Sequence, residues 1–138
     1  MDPQWAFGDC ALLSVAWGPR REVSLFILQP GEFAWGPVPR GTPSPGLHVV
    51  RFSAIDNYSK VRAEFERIFK LCVYQDYIGR VEFLSQVEEA WVLGVDCYHN
   101  DRLEDCLEEI RFETLKPPTR WTLERDSDTS LPRGPQVT

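Results

Sequence analysis

Ala11-Leu12-Leu13-Ser14-Val15-Ala16-Trp17-Gly18-Pro19-Arg20-Arg21-Glu22-Val23-Ser24-Leu25-Phe26-Ile27-Leu28 is the stretch whose reading decides the fold. Two short apolar runs, residues 11–17 and 23–28, flank Gly18-Pro19-Arg20-Arg21. Apolar runs of that length on either side of a glycine-proline turn read as strand, turn, strand, and predict a β-hairpin near the start of the chain.

Downstream, beyond Pro30-Gly31, Phe33 and Trp35 alternate with Ala34, and then Gly36-Pro37-Val38-Pro39-Arg40-Gly41-Thr42-Pro43-Ser44-Pro45-Gly46-Leu47-His48 runs into Val49-Val50-Arg51-Phe52. Four prolines within nine residues, Pro37 to Pro45, fix their own φ and bias their predecessors away from the helical region. The path is therefore extended and tightly turned, leading to a strand over residues 47–53. His48, Val50 and Phe52 are expected on one face of that strand, Val49 and Arg51 on the other. Gly36, Pro37, Gly41, Pro45 and Gly46 are structural turn residues, and Gly46 is expected to take a positive φ.

The middle of the chain carries two periods. Val61, Phe65, Ile68, Phe69 and Cys72 fall at helical spacing, while Phe69, Leu71 and Val73 alternate. The expectation is a short helical or irregular stretch to residue 67, a strand over 68–74, a turn centred on Gly79 and a return strand over 81–84. A further strand is expected over residues 90–95. Asn100 or Asp101 then caps a predicted helix to residue 110, in which Leu103, Cys106, Leu107 and Ile110 recur at i, i+3, i+4 and i+7. Lys116-Pro117-Pro118 cannot continue a helix, and Trp121 and Leu123 fit a last edge strand or a segment docked on the core. Residues 1–124 thus read as one globular β-rich domain, and the polar residues 125–138 as a disordered tail.

Composition sets bounds independently. A chain of 138 residues with 43% hydrophobic residues, five tryptophans and eight phenylalanines has enough apolar area for one core. The net charge of −6 opposes a nonspecific nucleic-acid surface, which needs clustered Lys and Arg, so no direct nucleic-acid contact is expected. No apolar run approaches the roughly 20 residues of a membrane span, and none is expected. Cys10, Cys72, Cys97 and Cys106 are irregularly spaced and read as buried free thiols.

Phe7-Gly8, the turn at Gly18, Gly36-Pro37-Val38-Pro39-Arg40-Gly41, Pro45-Gly46-Leu47-His48 and Thr114-Leu115-Lys116 followed by Trp121 occur in an order that resembles the N-terminal domain of the Aar-two splicing factors. The family has an aromatic residue where Pro39 stands, a longer connection from Gly41 to Pro45, and a long helical domain further on. The resemblance implies an assembly factor of the U-five small nuclear ribonucleoprotein, in the nucleus and cytoplasm. It also implies a partner, the large spliceosomal scaffold protein, held through its RNase H-like and Jab/MPN-like regions.

Candidate chemistry is thin. Cys97-Tyr98-His99 with Cys106, and Cys72 as a fourth ligand, lacks the paired spacing of structural zinc sites, so no metal or cofactor is expected. A Cys-His hydrolase would need Cys97 or Cys72 beside a histidine, and the chain has no nucleophile elbow, phosphate loop or dinucleotide fingerprint, so no catalytic residue is assigned. Trp35, Arg40, His48 and Trp91 are the candidate partner-binding residues. For His48 the alternative is a ring that fixes the turn, and for the tryptophans a place in the core. The sequence thus predicts a mainly β fold, a sandwich or curled antiparallel sheet with one amphipathic helix, or α+β as the alternative. Its expected function is non-catalytic protein binding in pre-mRNA splicing. The alternatives are a stand-alone interaction domain unrelated to splicing, or a small Cys/His enzyme or zinc-binding domain.

Overall fold

In the computed structural model, which describes residues 4–5, 10–29, 46–71, 78–99 and 103–123, the opening apolar runs pair as an antiparallel hairpin. A two-residue strand, β1 (Gln4–Trp5), precedes them. The hairpin strands are β2 (Ala11–Gly18) and β3 (Glu22–Gln29), in register from Ala11↔Leu28 to Gly18↔Glu22. The register shifts between Leu12 and Ser14, so Leu13 is the extra residue of a bulge, and Leu12, Val15 and Trp17 all reach the core. Arg20 and Arg21 turn the chain at φ values of 60° and 55°, costly for residues with a β-carbon. Their carbonyls are held at 3.3 Å by the amides of Ala54 and Ile55, which ties the turn to the end of the next strand.

That strand, β4 (Gly46–Phe52), pairs with β3 from Gln29↔Gly46 to Val23↔Phe52. Gly46 has a φ of +131°, the conformation expected of it. Val50 and Phe52 belong to the core and Arg51 is exposed on the other face. The prolines and glycines of residues 30–45 lie outside the described residues.

The single described helix, α1 (Tyr58–Leu71), is the amphipathic element of the fold. Val61, Phe65 and Ile68, at i, i+4 and i+7, are buried in the core, and Phe69 packs against it. The expected strand over 68–74 is thereby corrected. Residues 68–71 are the last turn of α1, because the helical set buries three large side chains on one stripe; residues 72–74 lie outside the described ones.

Gly79, expected at the centre of a turn, is instead the first residue of β5 (Gly79–Val87), opposite Leu12 of β2. It starts a strand there because a β-carbon at Gly79 would overlap the Asp96 carbonyl and lie 3.0 Å from Cys97 Sγ, so only glycine lets the two backbones approach. β5 pairs with β6 (Ala90–His99), which contains the strand expected over 90–95, and β1 lies against Leu84 and Ser85 of β5.

The predicted helix over 101–110 is a second correction: β7 (Glu104–Glu113) pairs with β6 at every position from His99↔Glu104 to Ala90↔Glu113. The helical reading required Leu103 and Leu107 to face the core, yet they are 71% and 52% exposed. Ile110 and Phe112, two residues apart, are the buried ones, and that is the period of a strand. Ten cross-strand partners and two buried β-forming side chains outweigh a helical spacing whose charged residues fit either form. β8 (Thr119–Leu123) pairs with β4, as the edge strand expected around Trp121 and Leu123.

The sheet order is β7-β6-β5-β2-β3-β4-β8, with β1 on β5. Five strand spacings separate β4 from β7, about 24 Å in a flat sheet. Yet the rings of Phe52 in β4 and Phe112 in β7 stack at 4.5 Å, with 1° between their planes. The sheet therefore curls over until its two ends face each other, and α1 closes the open side, with Phe65 placed 5.9 Å from Trp17 and 6.4 Å from Phe112. Among the described residues the protein is mainly β with one helix.

Candidate functional site

Because the sheet curls, residues 114–118 connect one of its edges to the other within five residues. Thr114 Oγ1 donates to the Ser53 carbonyl at 2.7 Å and accepts from the Lys116 amide at 3.2 Å, which fastens the connection. Leu115 stands 79% exposed beside it. A cleft of about 220 Å³ opens there, lined by Gln86, Trp91, Leu115, Lys116 and the two prolines Pro117 and Pro118.

The β7 edge is built differently. The Asn57 side chain donates from Nδ2 to the Arg111 carbonyl at 2.8 Å and accepts at Oδ1 from the Glu113 amide at 3.0 Å. The Asp56 amide donates to the Glu113 carbonyl at 2.7 Å. One carboxamide thus satisfies the strand edge as a neighbouring peptide group would. These bonds also fix which backbone groups point outward. In an antiparallel strand alternate residues share a direction, so the amides and carbonyls of Asp105, Leu107 and Glu109 face the same open side. Among the described residues no strand and no side chain pairs with them.

Electrostatics distinguish this edge. β7 carries Glu104, Asp105, Glu108, Glu109 and Glu113 against Arg111 alone. On the side facing α1, Arg67 binds Glu108 at 2.6 Å and Glu64 at 2.8 Å. Those two carboxylates, Glu108 before Glu64, hold the Arg67 proton more tightly than in a free guanidinium. A cleft of about 170 Å³ runs between helix and strand, lined by Asn57, Lys60, Val61, Glu64, Glu109 and Arg111.

Of the residues singled out in the sequence, Trp35, Arg40, Gly36, Pro37, Gly41 and Pro45 lie outside the described residues. His48 is buried on β4, its Nδ1 within 3.5 Å of Thr122 Oγ1 on β8. Trp91 is 4% exposed, packed edge-on against Phe52 at 6.0 Å, and forms the floor of the Leu115 cleft. His48 and Trp91 therefore share no exposed surface. Among the described residues the aromatic classed as exposed is Trp121, with the Arg51 guanidinium 4.8 Å above its ring. Neither Asn57 nor the β7 edge was singled out in the sequence. The signal was Ile110 and Phe112 at a spacing of two, hidden under the helical pattern.

Cys97 and Cys106 are directly opposed on β6 and β7, and Cys10, Cys97 and Cys106 are not in disulfides. Among the described residues no group of three or more His, Cys, Asp or Glu is placed to hold a metal ion, and no helix is long and apolar enough to cross a membrane. Compared with known proteins, the chain matches no family model, no curated protein and no solved structure.

Proposed function

We propose that the chain is a non-catalytic protein-binding module. Following its resemblance to the N-terminal domain of the Aar-two splicing factors, it serves as an assembly factor of the U-five small nuclear ribonucleoprotein, in the nucleus and cytoplasm. Its partner is the large spliceosomal scaffold protein, held through its RNase H-like and Jab/MPN-like regions. The observation that carries the binding role is the β7 edge, with three successive outward residues unpaired among the described residues beside a carboxamide that already mimics a strand. Such an edge binds by adding a strand and needs no catalytic group. The acidic surface supports a protein partner over nucleic acid.

The test is affinity capture from nuclear extract with the 138-residue chain as bait. Enrichment of the spliceosomal scaffold over a bait of equal charge is the expected result. Recovery of no scaffold overturns the assignment to splicing and leaves a stand-alone interaction domain.

A further inference from the structure

We infer that the part of the β7 edge left unpaired among the described residues, Asp105 to Glu109, takes an extended segment of a partner protein whose alternate residues read basic, apolar, basic. This rests on the molecule being a binding module and specifies what that module binds. The backbone supplies the first half of the recognition. Three amides and three carbonyls, those of Asp105, Leu107 and Glu109, point away from β6, and Asn57 and Asp56 close the edge beyond them at Arg111 and Glu113. An incoming strand therefore meets a defined stop at one end.

The side chains supply the second half. Residues opposite one another in adjacent strands stand on the same face, with β-carbons about 5 Å apart. Asp105, Leu107 and Glu109 are all exposed, Glu109 at the rim of the cleft beside α1, so they present acid, apolar, acid along the edge. Lysine or arginine opposite the two acids and a β-branched or aliphatic residue opposite Leu107 complement that pattern. On the other face Glu108 is already held by Arg67, so the charge left to recruit a partner is that of Asp105 and Glu109, with Glu104 at the start of the strand. The basic residues Lys60 and Arg111 line the helix–strand cleft next to Glu109, at the Asn57 end of the edge, and leave Asp105 clear of that cleft. The alternation also excludes an acidic segment, since like charges directly opposite repel.

The probe is a synthetic peptide of about seven residues, Thr-Lys-Thr-Val-Thr-Lys-Thr, long enough to span the free edge. It is titrated into the full ¹⁵N-labelled chain and followed by amide shifts and hydrogen exchange. Expected are saturable shifts centred on Asp105, Leu107 and Glu109, slowed exchange at those amides, and affinity that falls several-fold between about 50 and about 300 mM salt. The peptide with glutamate in place of lysine is expected not to bind. The double variant Asp105→Lys, Glu109→Lys, both positions being exposed and outside the core, is expected to keep its melting temperature and lose at least tenfold in affinity.

Absence of binding, shifts centred on β8 or the Leu115 cleft, equal binding of the glutamate peptide, or an unaffected double variant would each overturn the inference. The outcome is separable from that of the proposed function. A scaffold domain that binds the double variant as well as the parent sinks the basic-strand inference alone, and a scaffold that binds neither sinks the splicing assignment whatever the peptide does.

Discussion

Replacing Phe112 with leucine asks whether the sheet closes on itself as the stacked rings require. Phe52 and Phe112 are both fully buried and their rings lie parallel at 4.5 Å, although their strands stand five strand spacings apart on the sheet path. Alanine at either position would cost about 3–5 kcal/mol, a large part of the roughly 5–15 kcal/mol available to a domain of this size. Leucine keeps most of the volume and holds each single cost to about 1–1.5 kcal/mol. The informative quantity is the coupling in the Phe52→Leu, Phe112→Leu cycle, expected at about 0.5–1.5 kcal/mol. Contacts of Phe52 with Trp91 and of Phe112 with Phe65 cancel to first order in that cycle. Urea denaturation followed by tryptophan fluorescence measures it, with the slope of stability against urea unchanged among the four proteins. A coupling within about 0.3 kcal/mol of zero would mean that the rings do not meet, and would refute both the curl of the sheet and the placement of β7 opposite β4.

Gly46→Ala should lower stability by about 1 kcal/mol through backbone strain alone, because the added carbon meets nothing nearer than Thr122 Cγ2 at 3.8 Å; an unchanged melting curve would refute the positive φ. Gly94→Ala should cost more, since its β-carbon would overlap the Phe83 ring that covers it. Adding Phe83→Ala should then make the double variant less destabilised than the sum of the singles, and strict additivity in thermal melts would contradict the contact. Among the described cysteines, Cys106 is partly exposed while Cys10 and Cys97 are buried. A maleimide at neutral pH should therefore label Cys106 first by mass spectrometry, and equal rates for Cys97 or Cys10 would show that β6 or the residue preceding β2 is readily uncovered.

The opening hairpin was legible because a short turn separates two continuous apolar runs, which fixes the strands whatever the turn geometry. That geometry was not legible: the tertiary bonds from Ala54 and Ile55 hold Arg20 and Arg21 in a conformation that local preference assigns to glycine or asparagine. Gly46 was readable from its own neighbours. The segment 101–110 was not, because Leu103, Cys106, Leu107 and Ile110 satisfy a helical period, and only the neighbouring strand β6 decides for the period of two. Gly79 misled for a related reason. A glycine read as a turn signal was there to admit the Asp96 carbonyl, a contact made only in the folded sheet. The candidate site followed the same division. Trp91 was read as a partner contact with a place in the core as the alternative, and the core is where it lies, while Asn57 owes its role to Arg111 and Glu113, over fifty residues away in sequence.

The most direct test of the binding role is calorimetric titration of the 138-residue chain with the isolated RNase H-like domain of the large spliceosomal scaffold. A single short edge buries little area, so saturable one-to-one binding with a Kd of about 1–100 µM is predicted, weakened by Asp105→Lys, Glu109→Lys. The absence of saturable heat with the scaffold domain at several hundred micromolar, roughly the upper limit for such an interface, would contradict it.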